Sequence, residues 1–248
     1  MTKTSDPSSL TAEDARHYYE FSNSQFTRLY PVIADQILER TGITHGSCLD
    51  VGSGPASLAI AIALLSDLRV TALDSSPEMY ALAHRNIRDR CMEGLVTPVL
   101  GDVHAIPAAD SSFNLVISRG AFHSWYDLRT AFREIYRVLM PHGMAYVGGG
   151  YGNARIRDEV LAERNKRDPV DDRNHGAFSR FRKMHTEDIR ASIESAGINN
   201  YRIINDDSGL WILMQKPGEE QARARSLPGT IFSLSDQPVF HDGFFFTK

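Results

Sequence analysis

A chain of 248 residues, 42% hydrophobic and 23% charged, has enough apolar material for one large domain with a full core. Its 27 basic and 31 acidic residues give a net charge of −4, which excludes a global electrostatic pull toward nucleic acid or an anionic membrane. Only two cysteines occur, the opening MTKTSDPSSL lacks a signal peptide's apolar core, and the longest apolar run (58–65) is far short of the ~20 residues that span a bilayer, so a cytoplasmic location is expected.

Residues 1–10 carry little to bury and are expected to be disordered. TAEDARHYYEF has Asp14 three places after Thr11, a capping-box pattern that opens a helix. PVIADQILERTG puts Pro31 at a first helical position and Gly42 just past the end of a second helix. An alternation follows: strand 47–51, helix 56–66, strand 69–74, helix 76–90 with Ser76 as cap and Pro77 at the first position, and strands 96–102 and 113–119. A helix over 127–139 and a fifth strand over 144–150 complete it. This order predicts an α/β fold, a doubly wound and mostly parallel sheet with helices on both faces.

Beyond Tyr151 the rhythm breaks. A helix near 154–166 leads into a polar stretch; residues 155–190 hold ten Lys or Arg and eight Asp or Glu, so 151–185 reads as a lid or connector. TEDIRASIESAG (186–197) is a helix with Thr186 as candidate cap, and NYRIIND and LWILMQK, separated by DSG, form a hairpin of antiparallel strands. The expected organisation is an N-terminal segment and cap helix (1–30), a main domain (31–216) and a tail (217–248) whose FFF offers an oligomer contact.

The stretch CLDVGSGPASLAIA joins a strand, a glycine turn and a helix, with Gly52, Gly54 and Ser57 in G-x-G-x-x-S spacing. Glycines let a ligand approach the backbone, and the helix N-terminus favours a polar or negative group. Asp50, Asp74 and Asp102 stand at the ends of three successive strands. They outline a nucleoside pocket, with hydroxyls at one end and an amino-bearing base at the other.

These motifs together resemble the class I S-adenosylmethionine-dependent methyltransferases, near the small-molecule branch that includes quinone-biosynthesis enzymes (methyltransferase types 11 and 25). LDVGSGPA resembles the family's glycine motif, VTALDSSPEM its ribose strand, GDVHAIPAADSSFNLVIS its adenine strand and the next, and FREIYRVLMPHGMAYV its following helix and fifth strand. The resemblance implies a Rossmann-like, seven-stranded sheet with an antiparallel last strand, and S-adenosylmethionine as cofactor, released as S-adenosylhomocysteine. It implies that Asp50, Gly52, Ser53 and Gly54 surround the methionine part. Asp74 takes the ribose hydroxyls with Ser75 and Met79 nearby, Asp102 holds the adenine amine, and Val103 flanks the ring. Ser118 and Arg119 lie near the methionine end and a small-molecule acceptor.

Two positions depart from the family: Ala56 replaces a common glycine, and LMPHG stands where Leu-x-Pro-Gly-Gly is usual. SRGAFHSW, rather than Asn/Asp-Pro-Pro-Tyr, follows strand four, which argues against amino methylation of nucleic acid or glutamine. Two cysteines fit the arsenic methyltransferases poorly. DVHAIP has Pro107 where a cobalt-ligating pattern needs glycine, and no metal site is expected.

His123, after strand four, is the candidate general base, with a loop anchor as its structural alternative; Tyr151 is a second candidate for orienting the acceptor. Tyr18, Tyr19 and Phe21 are candidates to cap the cofactor, and Phe122, Trp125, Tyr151, Phe178 and Phe181 to line the acceptor pocket. A non-catalytic cofactor-binding protein is the alternative reading. A nicotinamide oxidoreductase is weaker: it leaves Asp102 unexplained, and none of the five lysines completes a Tyr-x-x-x-Lys pair.

Overall fold

The computed structural model describes residues 19–20, 22–24, 27–167, 185–218 and 220. The expectations for 1–18, Phe21, Phe178, Phe181 and the FFF run lie outside the described residues. The seven strands are β1 (His45–Val51), β2 (Asp67–Asp74), β3 (Val96–Leu100), β4 (Phe113–Arg119), β5 (Leu139–Gly150), β6 (Tyr201–Asp206) and β7 (Gly209–Gln215). The helices are α1 (Leu29–Thr41), α2 (Ser57–Leu65), α3 (Pro77–Asp89), α4 (Leu128–Val138), α5 (Ala154–Arg167) and α6 (Thr186–Ser195). They form one sheet in the order β3-β2-β1-β4-β5-β7-β6. Strands β1 to β5 pair in parallel, and β7 inserts antiparallel between β5 and β6. No described helix is long and apolar enough to cross a membrane.

Strand alternation sorts the core into two layers. Cys48, Val70, Leu115, Ile117 and Tyr146 face α1 and α2 on one side. Leu49, Val51, Val116, Ala145 and Val147 face α4 and α6 on the other. Local signals end the helices where the sequence places them. Gly42, at φ 68°, closes α1 with its N–H on the Leu38 carbonyl. Ser76 accepts the Met79 N–H ahead of Pro77, and Asp127 accepts the Thr130 N–H at the start of α4.

Three expectations need correction. Pro31 is the third residue of α1, which begins at Leu29, not the first. Strand β5 begins at Leu139 rather than 144, because Leu139 pairs with Phe113 across a register shift. The Lys216 backbone bonds Gly143 and His142 and holds the extension. Thr186 does not cap α6; it is the first helical residue, and His185 before it makes no side-chain cap bond.

Tyr146 anchors α1 to the sheet. Its hydroxyl accepts from Gln36 Nε2 at 2.5 Å and Arg40 Nη1 at 2.9 Å, and Arg40 also bridges to Asp206 at 3.0 Å. Burial pushes the Tyr146 pKa up to about 12. Tyr146→Phe removes the acceptor from a buried Gln36 amide and should cost about 1–3 kcal/mol, seen as a thermal midpoint lower by roughly 2–4 °C for each kcal/mol. An unchanged midpoint would show that the hydroxyl holds nothing together.

Candidate functional site

The parallel strands deliver their carboxyl ends to one edge, where β1 runs into the glycine turn. The Gly52 and Ser53 N–H groups both bond the Leu73 carbonyl, at 2.8 and 3.0 Å. The Gly54 N–H donates to Asp74 Oδ2 at 2.8 Å, while Asp74 Oδ1 accepts from the Ser76 N–H at 2.9 Å. Gly52 has φ +66°, and a Cβ there would stand 2.3 Å from the Ala121 Cβ, so this position demands glycine twice over. Ser118 Oγ donates to the Val51 carbonyl at 2.7 Å, tying β4 to the same turn.

Asp50 is 1% exposed and accepts a backbone N–H from Ala59 in the first turn of α2. No side chain caps that helix: its N-cap is Ala56. Asp50 therefore supplies the negative charge that the positive helix end attracts. Its Oδ2 is buried without a hydrogen bond, as is Ser53 Oγ. Burial first, and the neighbouring Asp74 second, push the Asp50 pKa up to about 7. Burial also raises the Asp74 pKa, against the N–H groups of Ser76, Gly54 and Ser75.

This geometry decides against a phosphate. The three turn amides are spent on β2, and a carboxylate already faces the helix N-terminus. A second anion would find repulsion and none of these turn donors, whereas a cationic group would find Asp50 Oδ2. On the other wall stands Arg119. Its Nε and Nη2 both donate to the Gly150 carbonyl, at 3.1 and 3.0 Å, and its guanidinium lies 5.5 Å from the Tyr30 ring and 5.9 Å from the Tyr151 ring. Tyr30, Asp50, Gly52, Ser53, Leu58 and Arg119 line one cleft. An acid and a base in one cleft, with orphaned acceptors between, suit a zwitterion such as an α-amino acid. The methionine end of S-adenosylmethionine is such a group, so the residues present fit the expected cofactor.

Of the expected residues, the cleft gathers Asp50, Gly52, Ser53 and Arg119; Gly54 and Asp74 adjoin it through their mutual bond. Ser118 is buried with its hydroxyl spent, Ser75 is exposed, and Met79 is buried in the first turn of α3. Asp102 and Val103 stand beyond the cleft after β3, with Asp102 capping a 3-10 turn over Val103–Ala105. His123 lies in a second 3-10 turn, Phe122–Ser124, after β4 and outside the cleft lining. Phe122 is no pocket wall: it is fully buried among the α4-side core residues, and its ring lies edge-on to Trp125 at 6.4 Å. Tyr19 packs instead under Arg85, 5.9 Å away.

Sequence reasoning missed Tyr30 and Leu58. Tyr30 is fixed by Ser22, whose Oγ lies 3.0 Å from the Tyr30 hydroxyl and 2.6 Å from Ser57 Oγ. The serine in the third small position of the glycine motif was the only trace of that link in the sequence.

A family model described as a methyltransferase domain matches residues 49–147. A malonyl-[acyl-carrier protein] O-methyltransferase from Geobacter sulfurreducens is 27% identical over 72% of this chain and 67% of its own length. A demethylmenaquinone methyltransferase from Chlorobaculum parvum is 33% identical over 40% of this chain, and the chain spans only 39% of that relative. A crystal structure of a proposed S-adenosyl-L-methionine-dependent methyltransferase from Methanococcus maripaludis is 38% identical, with TM-score 0.78, over 88% of this chain and 99% of that one.

The Asp50 carboxyl ionises near 7 in the fold and near its ordinary 3.8 in the unfolded chain. Its cost to stability is therefore absent below about pH 4 and grows as the pH rises toward 7. The melting temperature of the ligand-free protein should fall from pH 5 to 8 more steeply than that of Asp50→Asn. Parallel profiles would show that Asp50 is not a buried carboxyl of raised pKa.

Proposed function

We propose that this chain, which belongs to the S-adenosylmethionine-dependent methyltransferase family, transfers the methyl group to a small organic acceptor. The observation that carries the reading is the pairing of Asp50 and Arg119 in one cleft beside the glycine turn. Asp50 Oδ2 receives the cofactor's α-ammonium, and the remaining donors of Arg119 receive its α-carboxylate. Gly52, Ser53 and Gly54 form the floor. Asp74 keeps lone pairs beyond those given to Gly54 and Ser76 and accepts the ribose hydroxyls, with Ser75 and Met79 beside it. Asp102 and Val103 take the adenine amine and ring, and Ser118 holds β4 against the turn.

S-adenosylmethionine supplies an electrophilic sulfonium-bound methyl and a thioether leaving group. The chain's own task is alignment and exclusion of water. Tyr151, stacked against Arg119, orients the acceptor, and His123 takes its proton where the acceptor must lose one. A small acceptor is supported by the net charge of −4 and by the relative named for demethylmenaquinone.

Incubation with methyl-labelled S-adenosylmethionine and separate metabolite, protein and RNA fractions should place the label in the metabolite fraction. With that fraction, His123→Ala should slow labelling by about 10²-fold or more. Label confined to protein or RNA would refute the small-molecule reading, and full activity of His123→Ala would return that residue to a structural role.

A further inference from the structure

His104 belongs to no role assigned so far, yet its side chain is 7% exposed and every polar atom of its ring is engaged. The backbone N–H of Asp127 points at His104 Nε2, 3.3 Å away. An N–H can only donate, so Nε2 carries the lone pair and Nδ1 carries the proton. Nδ1 lies 2.5 Å from Asp102 Oδ1, which also accepts the His104 backbone N–H at 2.8 Å. The ring is clamped from outside by Tyr126, stacked at 3.6 Å between centroids and itself 80% exposed. Asp127 in turn is fixed as the cap of α4, accepting from the Thr130 backbone and hydroxyl.

We propose that His104 is a positioning residue that makes Asp102 selective for an amino-bearing purine, an inference that rests on the reading of Asp102 as the contact to the cofactor's base. Two donors from His104 occupy Oδ1 and fix the carboxylate's rotation. Oδ2 receives no hydrogen bond from the described residues and is left as a single oriented acceptor. An exocyclic amine donates to it. A carbonyl at the same place on the ring sets acceptor against acceptor and is rejected. Without the His104 ring, the half-exposed carboxylate keeps only the backbone donor on Oδ1, is held less firmly against water, and discriminates less.

The test is calorimetric binding of S-adenosylhomocysteine and of S-inosylhomocysteine, in which a carbonyl replaces the exocyclic amine and the neighbouring ring nitrogen N1 gains a proton. The wild-type protein should prefer the amino form by about tenfold or more. His104→Ala should lower that ratio to about threefold or less, and His104→Asn, whose amide can replace the Nδ1 donor, should restore much of it. His104→Phe keeps the ring under Tyr126 and so guards against a folding defect; it too should lose the preference. Wild-type selectivity retained in His104→Phe or His104→Ala overturns the role of His104. Equal binding of both ligands by the wild-type protein overturns the reading of Asp102 itself.

Discussion

Three backbone amides, those of Gly52, Ser53 and Gly54, are gathered by the end of β2, two on the Leu73 carbonyl and one on the Asp74 carboxylate. The rest of the site follows from that constraint. With its amides committed to β2, the turn is rigid and cannot wrap a phosphate. The helix behind it, lacking a cap from Ala56, draws its counter-charge from Asp50. Asp50 is buried, its pKa is raised by that burial and by Asp74 against the Ala59 N–H, and one of its oxygens has no hydrogen bond. The same glycine turn that resembles a dinucleotide fingerprint carries, through one strand residue two places earlier, a buried carboxylate oxygen without a hydrogen bond.

The two departures from the family's glycine pattern bear on the same economy. Ala56 and His142 both hold left-handed backbone, at φ 60° and 65°. An ordinary side chain there costs about 1–2 kcal/mol. The conformation is thus set by the surrounding structure rather than by the residue. At His142 the backbone bond to Lys216 enforces it, and at Ala56 the N–H bond to the Ser53 carbonyl inside the turn does.

Features fixed within one turn of chain were legible in the sequence. Ser76 with Pro77, and Gly42, each act on neighbours a few residues away, and each stands where the sequence put it. The seven-stranded, mostly parallel sheet with its antiparallel last strand was legible through the alternation of elements and through the family resemblance. What escaped depends on partners distant in the chain. Tyr30 is held at the cleft by Ser22, which links it in space to Ser57. The early start of β5 depends on pairing with Phe113 and Lys216. Phe122 looked like a pocket wall because it follows a strand end, but the 3-10 turn directs it into the core. Asp102 stood out as an isolated acid, and only the fold shows His104 already bonded to it.

The most direct test of the central claim, that the Asp50–Arg119 cleft holds the amino-acid end of the cofactor, is calorimetric titration with S-adenosylhomocysteine beside 5′-methylthioadenosine, which lacks that end. The account predicts one site per chain for S-adenosylhomocysteine and much weaker binding of the truncated ligand, with the difference collapsing in Asp50→Asn and Arg119→Met. Equal affinity for the two ligands, or a difference that survives both substitutions, would contradict it.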